Sequence, residues 1–531
     1  MASHFPHLTS TGPAPSASEI YLTYHQTFVD QVIDGQRRPL VFPYDFLGFF
    51  SLLVYLCIPH KQNPIIYAAR WPLIVLVTWI ELRKIHESLG TGPDLVALTG
   101  MISAYIVISS WTWLIFKRPQ WDAARVEKRR IRVAKNVQLS EKIPALKEEL
   151  CLKKQAIDNV SINTDGCYEE IDEYFWQSYP ENIKERIYWV FDLILNYRGP
   201  GWNWAIPNIP SLTPETLSKL ESSVLDESDQ IIASAIKKCL KTRHAHLLNE
   251  LCVFVLSYLT IDILATLMIY DPYFKFGPTT YDLPPYLQHL HPSMLQFYRL
   301  LVTSVTIGIG INYSFAQAHI TLAHFLGPRV LGLRGTHWYY PRIWGEFSDI
   351  LQKGLGGLWG SYWHQSFRNL FTAPTKYLIR EGYIKTGSFA AKIIGLIFAF
   401  GLSGFLHWAP SMTSIRSTYP FGQALFFLLQ GVGVALQDVL SKMFSPLITK
   451  LPPSVRQTTN MVYTLSWLYI TGSYAADDFA RSGVWLIKIL PFSPMEALGF
   501  GEHNSYRNFM KHFSFMWHTG NHWWESGITL I

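Results

Sequence analysis

SFAAKIIGLIFAFGLSGFLHW, residues 388–408, is an apolar run that contains one lysine near its start and one histidine, His407, near its end. A helix of about 20 apolar residues crosses the roughly 30 Å hydrocarbon core of a bilayer. Comparable windows recur along the chain, the weakest at 64–80 and 484–500. They are 44–58, 64–80, 95–116, 247–270, 295–325, 388–408, 421–443, 462–474 and 484–500.

These windows predict a polytopic protein with about nine transmembrane helices, within a range of seven to eleven. The composition agrees, because charged residues make up 16% of the 531 residues, against about 25% in soluble proteins. The windows lack the alternating pattern of a membrane barrel, so helices must satisfy the backbone in lipid. We therefore expect an all-α fold, with the membrane helices surrounding an intramembrane reaction tunnel.

Lysine and arginine next to the spans predict the orientation. Eight basic residues from Lys117 to Lys135 face only Asp122 and Glu127, which predicts a cytosolic loop. Alternation then puts 271–294, 409–420 and 475–482 in the lumen, and 328–386 in the cytosol. The sequon at Asn159 tests this scheme, since a glycan there would make the loop lumenal.

Five segments follow from this scheme: 1–40 polar, 41–117 first membrane helices, 118–245 cytosolic basic loop, 246–500 membrane-embedded catalytic region, 501–531 cytosolic tail. The loop is expected to begin with a basic helix from Asp122 to Leu150. No cleavable signal peptide precedes the first span, which we expect to stay as an anchor. The net charge of +6 lies in short stretches, which indicates topology signals and no nucleic-acid partner.

The five cysteines form no Cys-x-x-Cys pair, so neither a disulfide framework nor a cysteine zinc site is expected. No metal ligand set and no bound cofactor are predicted. The oligomeric state cannot be inferred from these patterns.

The position of His407 inside a span requires an explanation, because placing an ionisable group inside the membrane costs free energy. Gly401 and Gly404, with Ser403 between them, let a neighbouring helix approach closely. A neutral buried imidazole suits a general base, whereas a histidine bonded to a carbonyl at the lumenal interface would fit equally well.

A second stretch, from Trp344 through residues 360–369 to Pro374, is aromatic, glycine-rich and basic. Its sequence suits a re-entrant or interfacial element. His364 and Arg368 would share one helix face, and the arginine could bind phosphate or a carbonyl oxygen. A simple interfacial anchor is the alternative.

The ordered elements Trp344-Gly345, Trp363-His364-Gln365 with Arg368, and Ser403-Gly404-x-x-His407 resemble the wax-synthase-type branch of the membrane-bound O-acyltransferases. Arg198-Gly199-x-Gly201-Trp202-Asn203-Trp204 resembles its fungal members, which include terpenoid and meroterpenoid O-acetyltransferases. The resemblance extends over roughly Arg198–Phe444.

This resemblance implies that His407 is the catalytic histidine, with His364 at a position that is usually asparagine in the wider superfamily. It also implies an endoplasmic reticulum membrane protein that transfers an acyl group, acetyl from acetyl-CoA being preferred, to a lipophilic alcohol. Ser403 or His364 could stabilise the oxyanion, and Arg368 with Lys376 could bind the CoA phosphates. Trp363 and Gln365 complete the expected substrate site.

Other classes remain open. A long-chain wax or sterol ester synthase would use the same residues. A transporter also fits many spans and a buried histidine, although no matching halves are visible. A di-iron oxygenase would need more clustered histidines than the loose pairs His319/His324 and His518/His522, and a prenyltransferase more than the single pair Asp477-Asp478.

Overall fold

The computed structural model describes residues 14–88, 96–134, 168–207, 209, 242–414, 418–486, 490–501 and 515–530. Helices dominate this part of the chain. In chain order they are α1 Ala17–Ile33, α2 Leu47–Cys57, α3 Pro64–Ala68, α4 Arg70–Glu87, α5 Val96–Trp111, α6 Pro119–Asp122, α7 Ile183–Leu195, α8 Arg243–Tyr270, α9 Pro272–Phe276, α10 Pro285–Gln288, α11 Pro292–His319, α12 Gly327–Leu331, α13 Ser348–Gly357, α14 Arg368–Arg380, α15 Phe389–Met412, α16 Pro420–Met443, α17 Ser445–Ile448, α18 Pro453–Ser482 and α19 Pro494–Ala497.

Two small antiparallel sheets complete the fold. Strand β1 (Arg125–Ala134) pairs with β2 (Tyr168–Gln177), and β3 (Phe515–His518) pairs with β4 (Gly527–Leu530). Short π-helical or 3₁₀ turns are also present. They are Tyr44–Phe46, Thr112–Phe116, Ile320–Leu326, Gly332–Gly335, His337–Tyr339, Leu358–Tyr362, Val484–Leu486 and Trp523–Glu525. The described residues are thus mostly helical, as predicted, with two small two-stranded sheets in addition.

Six helices among the described residues are long and apolar enough to cross a membrane. They are Pro64–Glu87, Leu98–Phe116, Arg243–Tyr270, Pro292–Gly335, Phe389–Met412 and Pro420–Met443. The predicted window at 44–58 forms a shorter apolar helix, and 462–474 falls inside the long helix α18. The chain is thus an integral, multi-pass membrane protein.

The predicted span at 484–500 is wrong for its described residues. They form a single tight turn, Val484–Leu486, and the one-turn helix α19. Pro491 and Pro494 explain this, because proline removes a backbone donor and ends helices. At the start of α19, the Ser493 hydroxyl and the backbone amide of Met495 donate hydrogen bonds to Asp262 of α8.

The predicted basic helix from Asp122 is also wrong over the described residues, since β1 begins at Arg125. Its register sets basic residues opposite acidic ones, with Arg129 facing Glu173 and Arg130 facing Asp172. Asn159 and the rest of this predicted helix lie outside the described residues.

The helices that carry the site pack closely. Helix α15 begins where Ser388 accepts a hydrogen bond from the amide of Ala391, and α16 begins with Pro420. The two helices pack along each other, and α15 also packs on α5. A Cβ atom at Gly404 would lie 3.2 Å from the carbonyl oxygen of Ala424, whereas one at Gly401 would meet nothing within 4 Å. Of the two glycines, Gly404 is therefore the one that permits the close contact.

Candidate active site

His407 lies on α15 with its ring held from two sides. Its Nδ1 lies 2.8 Å from the carbonyl oxygen of Ser403, one turn earlier. A carbonyl oxygen can only accept, so Nδ1 carries the proton and Nε2 keeps its lone pair in the neutral ring. The ring of Phe427, on α16, packs against it with centroids 4.2 Å apart. The neutral imidazole is thus fixed in the tautomer that can accept a proton at Nε2.

The segment that carries His364 runs along α16. The amide of Leu355 donates to Gln437 at 2.9 Å, and the indole of Trp359 donates to Gln430 at 3.3 Å. These two glutamines are separated by seven residues of helix, which is about 10 Å of rise. Residues 355–359 therefore run along α16 toward the level of Phe427.

Trp344, Gly345 and Gln365 hold the turn that presents His364. The amide of Gly345 donates to the carbonyl of Tyr362 at 2.9 Å, and a Cβ at Gly345 would lie 2.1 Å from the carbonyl oxygen of Ser361. Trp344 stacks on Tyr362 and meets His364 edge-on. Gln365 is buried and donates to the carbonyls of Trp359 and Trp363, so its side chain shapes the turn.

His364 and His407 line one cavity of about 240 Å³. The prediction that these two histidines face a shared cavity is therefore confirmed. Four more of the predicted residues line it: Trp363, Gln365, Arg368 and Ser403. Apolar side chains form most of the remaining wall: Trp359, Phe367, Phe371, Leu396, Ala399, Phe400, Phe427 and Val434.

His364 has an unsatisfied nitrogen. Its Nδ1 is buried and has no hydrogen-bond partner among the residues that the structure describes. Burial, followed by the nearby His407 and Arg198, lowers the pKa of His364 to about 4. The ring is thus neutral at physiological pH and leaves one polar atom for a bound molecule.

Lys376 does not line this cavity. It lies on α14 close to Arg368, and burial followed by the charge of Arg368 lowers its pKa. Lys117 lies beside it: burial and the charge of Lys376 lower its pKa to about 7. The ammonium of Lys117 donates to Asn369 at 2.5 Å. Arg368 itself donates to the carbonyl of Gly360 and to Gln365.

A second, larger cavity of about 870 Å³ adjoins the first, since Gly356 and Val434 line both. Its wall contains the basic residues Lys353, Lys392 and Arg456. Lys353 pairs with Asp349 and Lys392 with Asp438, whereas Arg456 is exposed and has no ion-pair partner among the described residues.

Arg198 is a residue whose place in the site the sequence did not predict. Its buried guanidinium donates to the carbonyls of Pro341 and Arg342 at 2.6 and 2.7 Å. It thereby anchors the segment that leads into Trp344. The Arg198-Gly199-Pro200-Gly201 motif was the available signal, but the distance of more than 140 residues between the partners hid its role.

Comparisons with known proteins agree with this geometry. Residues 340–429 match the membrane bound O-acyl transferase family, and this segment contains both histidines of the cavity. No solved structure matches the chain.

Among curated proteins, the acetyltransferase spyB of Aspergillus fumigatus is 34% identical over 102 residues, or 19% of this chain and 17% of that protein. The acetyltransferase ple2 of Rhodocybe pseudopiperita is 24% identical over 48% of this chain and 57% of its own. The acetyltransferase cdmC of Talaromyces verruculosus is 24% identical over 50% and 58%. The matches thus span little more than half of these relatives at most. The chain is accordingly similar to fungal acetyltransferases, and the part of it that builds the cavity matches the membrane bound O-acyl transferase family.

Proposed function

We propose that the chain is an acyl-CoA-dependent O-acyltransferase of the endoplasmic reticulum membrane. It would transfer an acetyl group from acetyl-CoA to a hydroxyl of a lipophilic, terpenoid-type secondary metabolite. The observation that carries the proposal is the apolar cavity that His407 and His364 both line, within the segment that matches the family.

In the proposed reaction, His407 Nε2 accepts the proton of the acceptor hydroxyl while that oxygen attacks the thioester carbonyl. The tetrahedral intermediate collapses, the carbon–sulfur bond breaks, and the imidazolium returns the proton to the CoA sulfur. The products are the ester and free CoA, and no covalent enzyme intermediate is needed. The Ser403 carbonyl supports this cycle because it accepts from Nδ1–H and stabilises the imidazolium.

Oxyanion stabilisation is assigned to His364 and Ser403. His364 is the stronger candidate, because its buried Nδ1 lacks a partner among the described residues. As the Nδ1–H tautomer, the neutral ring would donate to the carbonyl oxygen as negative charge develops there. A buried group left unpaired costs about 1–3 kcal/mol, which binding of the intermediate would recover.

Acyl-CoA would enter from the larger cavity, which the charge alternation puts on the cytosolic side. Arg456 is well suited to the CoA phosphates, since it has no ion-pair partner among the described residues and lies on the wall of this cavity. Arg368 lies in the inner cavity, where it could bind the polar groups of the pantetheine arm, and Lys376 would only add positive charge behind it. Arg456 is thus an alternative to Arg368 and Lys376 as the residue that binds the CoA phosphates.

The size of the inner cavity supports a short acyl group. About 240 Å³ is below the roughly 300–1,000 Å³ typical of ligand pockets, which leaves little room for a long chain together with an acceptor. The three relatives named above are acetyltransferases, which also supports a short acyl group. The largely aromatic wall favours an apolar acceptor that arrives through the bilayer.

The test uses microsomes that contain the full chain, incubated with labelled acetyl-CoA or labelled palmitoyl-CoA and a panel of terpenoid alcohols. We expect a labelled acetyl ester and free CoA in equal amounts. An ester formed only from palmitoyl-CoA would replace the acetyl assignment by a long-chain ester synthase. Transport of an alcohol across the membrane without any ester would overturn the proposal.

A further inference from the structure

A second group of ionisable side chains lies away from the acyl-transfer cavity. It is centred on His246 and Glu250 of α8 and His319 at the end of α11, all three buried. His324 lies next to them on the turn after α11. We call these four residues the histidine cluster. None of them lines the cavity that contains His407.

The donor atoms of the cluster converge. One potential ligand atom from each of His246, Glu250 and His319 lies within 4.8 Å of the other two. Nδ1 of His319 lies 3.0 Å from a carboxylate oxygen of Glu250, and Nε2 of His246 lies 4.0 Å from the other oxygen. Nε2 of His324 lies 3.0 Å from Nδ1 of His246.

The separations match those between ligands of one metal ion. Bonds of about 2.0–2.2 Å in a tetrahedral site put neighbouring ligand atoms about 3.3–3.6 Å apart. Rotations of the side chains by a fraction of an ångström to about 1 Å would bring the cluster to that geometry. His246 would then coordinate through Nε2, the nitrogen nearer to Glu250, and its Nδ1 would donate to Nε2 of His324, 3.0 Å away, which orients the ring.

The environment of Glu250 also favours a bound cation. Glu250 is a buried carboxylate whose partners are Asn249 and two histidines, with no lysine or arginine among its contacts in the described chain. A buried carboxylate is costly unless it is paired or bound to a metal. Two or three imidazole nitrogens with one carboxylate are typical of Zn²⁺.

We propose that His246, Glu250 and His319 bind one Zn²⁺ ion, with water as the fourth ligand and with His324 orienting the ring of His246. The ion would join α8 to α11 beside the segment around Tyr340, whose ring contacts that of His319. That segment continues into Trp344, whose ring contacts His364. The site departs from the expectation that the chain holds no metal. It does not depend on the proposed acyl transfer.

The test is the zinc content of the full chain, purified in detergent with a tag that contains no histidine. The protein is exposed to Zn²⁺, dialysed, and measured by inductively coupled plasma mass spectrometry. We expect about one zinc per chain. Glu250→Gln and His319→Ala should each lose most of it, whereas His407→Ala should keep it.

His244→Ala is the matched control, since His244 is an exposed histidine on the same helix. It should bind zinc like the unmodified chain. Glu250→Gln preserves the size of the side chain, so its fold can be verified by size-exclusion chromatography before the zinc is measured. Folded Glu250→Gln with undiminished zinc would overturn the site, as would an unmodified chain with under about 0.1 zinc.

A second readout is thermal. Removing zinc with a chelator should lower the Tm of the unmodified chain, and added Zn²⁺ should restore it by about 5 °C or more, because a ligand that binds only the folded state stabilises it. His319→Ala should show no such recovery. Equal recovery in both proteins would mean that zinc binds elsewhere and would contradict the proposal.

Discussion

At the scale of single residues, the fixed tautomer of His407 is the most informative feature. Its residue type and its place in a span were predictable, because an ionisable group stands out in an apolar window. Its packing against Phe427 was not predictable, because Phe427 comes from another helix. The sequence likewise offered His319 and His324 as a loose pair, whereas Glu250 lies 69 residues before His319. Residues that come together from distant parts of the chain leave no local pattern in the sequence.

The neutral state of His364 predicts a pH dependence. Its pKa falls from 6.5 in the unfolded chain to about 4 when folded, so the unfolded state binds more protons between these values. Stability from this residue is therefore fully present above pH 6.5 and is lost as pH falls toward 4, by up to about 3 kcal/mol. The Tm of the unmodified chain should fall more steeply over this range than that of His364→Asn.

His289→Asn, at an exposed histidine outside the cavity, serves as the control for this comparison. Its Tm profile should follow that of the unmodified chain. Parallel Tm profiles for the unmodified chain and His364→Asn would show that His364 has the same pKa in the folded and unfolded states. That result would contradict its burial in the folded chain.

The position of the CoA phosphates gives a second prediction at this scale. Arg456→Ala should raise the KM for acetyl-CoA about tenfold with little change in kcat, because a charge-assisted bond of about 1.5–3 kcal/mol is lost in both ground and transition states. Arg368→Ala should lower kcat as well, since Arg368 lines the inner cavity. A KM effect from Arg368→Ala alone would assign the phosphates to Arg368.

At the scale of elements, the contact between α15 and α16 decides the shape of the cavity. Gly404→Val would push methyl groups against the backbone of Ala424 and should destabilise the fold by about 1–3 kcal/mol. Gly401→Val, on the same helix with open space around it, should change stability by about 0.5 kcal/mol or less. Denaturant unfolding in detergent measures both, and equal losses would contradict the contact.

Hydrophobic windows predicted the long helices well, because about 20 apolar residues have few other stable arrangements. They failed where the local sequence was ambiguous. The charges of β1 suggested a helix, and its acidic partner β2 follows more than 30 residues later. Helix α7 was missed for a similar reason: its amphipathic sequence lies in a polar region, yet Trp189 and Leu193 are buried against α2.

At the scale of the whole molecule, the missing span at 484–500 changes the expected topology. Ile528 of the tail pairs with Phe42, and Glu525 forms an ion pair with Arg83 at 2.9 Å. Arg37 donates to the carbonyl of Met412 at the end of α15. The charge alternation puts Met412 in the lumen, so we now expect the tail there and not in the cytosol.

Epitopes inserted after Arg118 and at the C-terminus test this arrangement in sealed microsomes. The first should be accessible to antibody without detergent, and the second only after detergent is added. Access to both without detergent would restore a cytosolic tail, and a glycan at Asn159 would invert the whole scheme.

The central claim is that His407 acts as the general base for acyl transfer. The most direct measurement is the rate of labelled ester formation by His407→Ala and by the unmodified chain, at equal amounts of folded protein. The account predicts a loss of about 10²–10⁴-fold in kcat with an unchanged elution profile and near-normal KM for acetyl-CoA. Ester formation by His407→Ala at the rate of the unmodified chain would contradict it.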